Sequence, residues 1–247
     1  MDFQESIHHF LNQSDGIGQM LFFMLMTMSL VSWYLIFVKA VMAFLTRYRT
    51  KTFLAYFWES ASLNEVAKTL SEHSAKEPFT HLTYHAVNAL RHHAKHGSKR
   101  LEEAGNANEF LSRAIRRVID EETARVEWGL TALASIASTA PFVGLFGTVW
   151  GVYHALIGIG KNGQGTLEQI AAPVGEALIM TGLGLAVAIP AVLAYNNFVR
   201  SNRVLLAQLD AFAHDLFSLL TTGSAISSYI SENLEYDYAM DLAMEKN

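Results

Sequence analysis

The stretch from Gln169 to Val199 reads QIAAPVGEALIMTGLGLAVAIPAVLAYNNFV, and Glu176 is its single charged side chain. At ~1.5 Å per residue, a helix of this length exceeds the ~30 Å hydrocarbon core of a bilayer, so it reads as a span longer than the membrane is thick. Two other stretches share this character. Trp128–Gly160 contains no Asp, Glu, Lys or Arg, and at ~1.5 Å per residue it extends to about 50 Å. Met20–Val38 is equally apolar and continues through Lys39 to Leu45, with Lys39 expected to snorkel toward the headgroups. The short segment Gly158–Gly165 (GIGKNGQG) turns the second and third spans into an antiparallel hairpin.

Composition agrees with a lipid solvent. The 247 residues are 51% apolar and only 17% charged, too greasy for an ordinary soluble domain of this length. The net charge of −5 gives no footing for nucleic acid as a partner. The absence of cysteine excludes disulfides, thiolate catalysis and cysteine metal sites. No phosphate-cradling loop, nucleophile elbow or dinucleotide-binding turn is present, so an enzyme reading has no anchor and no cofactor is expected. Met1–Gly18 is polar and carries Asp2, Glu5 and Asp15 where a cleavable leader would be basic.

Basic residues set the expected orientation, because cytoplasmic flanks accumulate Lys and Arg. Thirteen of the 18 lie between Arg47 and Arg125, whereas the turn between spans two and three has only Lys161. The expected organisation is an outer amino-terminal segment at 1–19, span one at 20–45 and a cytoplasmic helical section at 46–127. Span two follows at 128–160, an outer turn at 161–168, span three at 169–199 and a cytoplasmic helix and tail at 200–247. Within the inner section, Phe53, Leu54, Phe57 and Trp58, and then Phe110, Leu111, Ala114, Ile115, Val118 and Ile119, have the three-and-four spacing of amphipathic helices. Breaks are expected at Ala104–Asn108 and around Pro78. Leu205, Leu209, Phe212, Leu216 and Leu219 prolong span three, and an acidic tail follows Thr222. The fold class is therefore all-α, with three transmembrane helices and a helical cytoplasmic part.

Glu176 is the sharpest chemical signal, since a carboxylate inside a span costs on the order of 3 kcal/mol unless protonated, paired or hydrated. No Lys or Arg lies in spans two or three to pair with it. Counted from the outer turn at ~1.5 Å per residue, Glu176 lies about 15 Å deep, Thr148 about 18 Å and Thr181 about 22 Å, which is one slab of the membrane. Each threonine alone is explained by a hydrogen bond to its own backbone one turn back; beside a lone carboxylate, a hydrated polar belt is the better reading.

Small residues form a stripe on span two that includes Ala140, Gly144, Gly147 and Gly151, and a sparser one on span three with Ala171, Gly175, Gly182 and Ala186. Two readings stay open: close packing within the hairpin, or smooth walls of a pore between subunits. Pro141 and Pro190 shape their helices or act as hinges. Arg47, Arg49, Lys51, Arg200 and Arg203 either set topology alone or also bind anionic lipid headgroups. His81 and His85 lack the intervening Glu of a metalloprotease helix, and they and His92, His93 and His96 read as a solvated face rather than a metal site. His154, near the outer end of span two, is open to packing or to a place on a proton path.

Thr139–Gly151 (TAPFVGLFGTVWG) and Gly175–Asn196 (GEALIMTGLGLAVAIPAVLAYN) resemble the signatures of the ExbB, TolQ and MotA group of proton-channel subunits. The layout resembles that group over essentially the whole chain, and Tyr153–Leu156 (YHAL) with Val174–Met180 (VGEALIM) inclines the likeness to its ExbB branch. The resemblance implies an inner-membrane pentamer around two copies of a single-span partner, ExbD, with TonB as third component, energising uptake across the outer membrane. It implies also that Thr148, Glu176 and Thr181 form a polar belt around the partner's proton-carrying aspartate. A TolQ-like role in envelope maintenance and a passive scaffold acting through Arg113, Arg116 and Arg117 remain alternatives. A solute transporter is disfavoured by three spans without duplicated halves.

Overall fold

The computed structural model describes residues 16–59, 77–96, 107–162 and 167–223. Every element among them is an α-helix, as expected: α1 (Gly16–Glu59), α2 (Pro78–His96), α3 (Ala107–Glu127), α4 (Leu130–Asn162) and α5 (Leu167–Thr222). Residues 1–15, residues 163–166 of the turn, residues 104–106 of the expected break and the tail beyond Gly223 lie outside the described residues. Three helical runs, Gly16–Trp58, Ala107–Gly158 and Ala177–Thr222, are long and apolar enough to cross a bilayer. Among the described residues these are three candidate membrane spans, the arrangement of a membrane protein. The chain divides into two compact units, residues 1–41 with 128–200 and residues 42–127 with 201–247.

In the first unit, the apolar positions of α1, α4 and α5 run around the whole helix circumference, as lipid allows and water does not. Leu25, Leu133, Ala140, Met180 and Ala191 form its packed interior. Leu30, Phe37, Phe142 and Leu193 stand 64–70% exposed on the outer surfaces, so they need lipid or protein against them. Lys39 departs from expectation. It does not reach outward but is 7% exposed, with its stem beside Gly129, which has a left-handed φ of 76°. A glycine that accepts this φ opens the turn before α4 and leaves the space that the lysine stem fills. The Gly129 carbonyl then accepts the first helical bond, from the Leu133 amide at 3.1 Å.

The second unit is built like a water-soluble helical domain. Leu111, Ile115 and Val118 of α3 face Phe79, Leu82 and Ala86 of α2 and Leu209, Phe212 and Leu216 of α5 in one core. Phe212 is its hub, with ring centroids 5.1 Å from Phe57, 5.4 Å from Phe79, 6.3 Å from Phe53 and 6.4 Å from Trp58. α2 starts at Pro78, whose fixed φ and missing amide suit the first helical position. Glu77 caps it: one carboxylate oxygen accepts from the Thr80 amide (3.0 Å) and hydroxyl (2.6 Å), the other from the Thr50 hydroxyl of α1 (2.7 Å). That buried carboxylate is thereby satisfied and fixes the α2 entry against α1.

Candidate functional site

The α4–α5 hairpin supplies the site, and glycine decides how closely its helices approach. A Cβ on Gly144 would lie 2.6 Å from the Met180 carbonyl oxygen, and one on Gly184 would lie 2.7 Å from the Ala140 carbonyl oxygen. A Cβ on Gly147 would meet the Met180 side chain at 3.0 Å, and one on Gly151 the Ala177 Cβ at 2.9 Å. The pairs 140/184, 144/184, 147/180 and 151/177 descend on one helix as they climb on the other, which is an antiparallel register. In lipid, apolar area gives no net drive to associate, so this backbone proximity carries the association. The small residues Ala140, Gly144, Gly147 and Gly151 are consumed by packing inside the hairpin. Of the two readings open for this stripe, these contacts are those of close packing within the hairpin. Gly175 and Gly182 differ, since nothing lies within 4 Å of a Cβ built on either.

Where the helices approach so closely, two hydroxyls meet. The Thr148 and Thr181 Oγ1 atoms are hydrogen-bonded to each other across the interface. Thr148 Oγ1 also lies 3.0 Å from the Ala177 carbonyl of α5 and 3.2 Å from the Gly144 carbonyl of its own helix. A hydroxyl has one proton, so the arrangement that satisfies the pair has Thr181 donating to Thr148 and Thr148 donating to a carbonyl, with Ala177 the nearer. Thr148 is thus tied across the hairpin as acceptor from Thr181 and as donor to the Ala177 carbonyl, with the local Gly144 carbonyl competing for the same proton. Glu176 is part of α5, next in sequence to Ala177; its side chain lies outside the described residues.

The remaining candidates are dispersed. α4 continues through Pro141 and α5 through Pro190. Arg49, Lys51, Arg200 and Arg203 are exposed, whereas Arg47 donates to the Ser201 hydroxyl of α5 at 2.6 Å. His154 stacks on Trp150 with ring centroids 4.6 Å apart, and its Nδ1 lies 3.2 Å from the Trp150 carbonyl, which packs it onto its own helix. The Trp150 indole nitrogen is buried without a hydrogen-bond partner among the described residues.

Sequence reasoning missed Gly184, although Ala177, Gly184, Ala188 and Ala191 form a second small stripe at helical spacing. It missed also that Glu122, 2% exposed, occupies the core face of α3 and meets His81 Nδ1 at 2.8 Å. The available signal was the series Leu111, Ile115, Val118, Glu122, in which an acid takes the next core position.

Comparison with known proteins follows the same lines. The sequence model of the MotA/TolQ/ExbB proton channel family matches residues 74–211. Biopolymer transport protein ExbB of Xanthomonas campestris pv. campestris is 40% identical over 204 residues, covering 82% of this chain and 81% of the relative. The protein of that name from Neisseria meningitidis is 40% identical over 195 residues, covering 79% of this chain and 88% of the relative. Tol-Pal system protein TolQ of Pseudomonas aeruginosa is 28% identical over 215 residues, covering 87% and 92%.

Proposed function

The chain belongs to the MotA/TolQ/ExbB proton channel family, and on that footing we propose that it is an ExbB-like inner-membrane subunit of a motor driven by the proton-motive force. With a single-span, ExbD-like partner it would energise a TonB-like protein for uptake across the outer membrane. The observation that carries the reading is the Thr148–Thr181 hydroxyl pair between α4 and α5. Each hydroxyl has lone pairs that accept hydrogen bonds, so the pair can hold a protonated partner carboxyl or orient the water that carries its proton away, and Glu176 on the same helix is the ionisable group available to exchange that proton. Protonation neutralises the partner carboxylate and lets it pass an apolar wall; deprotonation at the next belt position stops it. One charge moving through ~100 mV yields about 2.3 kcal/mol, enough to bias such a step.

In this reading the walls past which the partner helix moves include the open face bearing Gly175 and Gly182, and several copies, a pentamer in the family pattern, surround it. The amino-terminal segment and the α4–α5 turn are outside, and the 46–127 section and the carboxyl tail inside, which the basic residues between Arg47 and Arg125 favour. Arg49, Lys51, Arg200 and Arg203 then meet anionic headgroups at the inner surface; native mass spectrometry with retained lipid counts both lipids and subunits. Pro141 and Pro190 serve chiefly to shape the helices.

A TolQ-like role is the second reading, favoured by the match to TolQ over 87% of this chain. Co-purification from native membranes separates the two. ExbD- and TonB-like partners are expected, and recovery of TolR- and TolA-like partners instead would move the chain to envelope maintenance.

A further inference from the structure

The outer face of α3 carries a groove of about 630 Å³ whose charged lining is Arg113, Arg116, Arg117, Asp120 and Glu121. Two of these arginines have partners on their own helix. Arg117 Nε meets Glu121 at 2.9 Å, and Arg113 Nη1 approaches Glu109 at only 3.8 Å. Arg116 makes no ion pair or hydrogen bond among the described residues. All three are exposed, on the side of α3 opposite the buried Leu111, Ile115 and Val118. The face uses arginine and no lysine, and the guanidinium fork suits bidentate capture of carboxylates.

The same unit contains the complementary charge. Residues 224–247 carry Glu232, Glu235, Asp237, Asp241 and Glu245 against Lys246 alone. The chain leaves α5 at Gly223, whose φ of 80° ends the helix while its amide bonds the Leu219 carbonyl at 3.1 Å. The last turns of α5, through Leu209, Phe212 and Leu216, share a core with Leu111, Ile115 and Val118 of α3. The tail therefore starts from a helix packed in one core with the helix that bears the groove. Its 24 residues reach at most ~80 Å, and a tether of this kind holds a ligand at an effective concentration on the order of mM. Half-occupancy at that concentration requires a Kd on the order of mM, which several bidentate arginine–carboxylate contacts must supply together.

We infer that the acidic tail, residues 224–247, docks in cis on the arginine face of α3, with Arg113, Arg116 and Arg117 receiving its carboxylates. The docked tail covers the Arg113, Arg116 and Arg117 face and competes there with any acidic protein partner, which makes it a guard on that surface. The inference does not depend on the motor reading.

The chain lacks cysteine, so the full protein takes a clean pair of spin labels at Ala124→Cys and Ala239→Cys. Pulsed electron–electron distance measurement is made in lipid nanodiscs after dilution with unlabelled chains. A single narrow distance is expected, broadened by ~1 M salt, where the Debye length falls to ~3 Å, and by the triple variant Arg113→Glu, Arg116→Glu, Arg117→Glu. Adding Glu235→Lys, Asp237→Lys and Asp241→Lys to that triple variant should restore the narrow distance, while helical circular dichroism stays constant throughout. A broad distribution in the unmodified protein, one indifferent to the charge reversals, or a narrow one that disappears on dilution and so arises between copies would each overturn the docking in cis.

Discussion

Replacing Thr148 by valine keeps the volume of the side chain and removes its hydroxyl, leaving Thr181 without the partner it has across the hairpin. A hydrogen bond between membrane helices is worth about 0.6 kcal/mol on average, so the variant should insert and assemble normally. Energy-dependent transport should nonetheless fall by about an order of magnitude or more, because the hydroxyl that positions the proton-carrying group or its water is lost. Thr148→Ser, which retains the hydroxyl, should recover most of it. Transport assayed beside membrane insertion checks both halves of this expectation. At this scale the sequence was partly legible. Helical rise put Thr148 and Thr181 at similar depth, because depth along a helix follows from counting residues, and the two hydroxyls meet. Counting gives no rotation about the axis, so the hydroxyl contact and the course of the Lys39 side chain emerged only with the packing.

The hairpin makes a sharper test among elements. Gly144→Ala and Gly184→Ala place a methyl against backbone carbonyls at 2.6 Å and 2.7 Å, contacts that no side-chain rotation relieves. Each should force α4 and α5 apart and destabilise the first unit by about 1–3 kcal/mol. Gly182→Ala has nothing within 4 Å to meet, so thermal unfolding in micelles should leave it unchanged or slightly raised, while its transport activity reports whether that face serves the moving partner. Spacing alone could not separate these glycines, because α5 has small residues on two faces and periodicity identifies faces without identifying their partners. The three apolar helices were legible for the complementary reason: lipid demands apolar side chains around the whole circumference, and no packing detail alters that.

In the second unit the aromatic hub and the titrating face of α2 are separable. Phe212→Ala should cost about 3–5 kcal/mol, since it empties the centre of five packed rings. His85 is held below its usual 6.5 first by partial burial and then by the neighbouring His81, with Arg117 adding to the effect and Glu121 opposing it. Between that depressed value and 6.5 the unfolded chain binds more protons than the folded one. Stability should therefore be complete above this window and decline as pH falls through it. His85→Asn should flatten the slope of denaturant stability between about pH 7 and about pH 5; an unchanged slope would assign the pH dependence elsewhere.

For the whole molecule, the membrane character and the family follow from composition and two long motifs, whereas the core of the second unit is a matter of tertiary packing. Glu122 illustrates the limit: an acid at a core position reads as an interruption of the stripe until His81 of α2 is found 2.8 Å away. The central claim concerns the belt in the first unit, and proton flux addresses it directly. The chain, reconstituted with its single-span partner in liposomes under a membrane potential, should conduct protons. Flux should be lost in Thr148→Val and Glu176→Gln and kept in Ser138→Ala, which removes a hydroxyl of the same helix that only back-bonds the Ser135 carbonyl at 3.0 Å. Flux through Thr148→Val and Glu176→Gln equal to that of the unmodified protein would contradict the account.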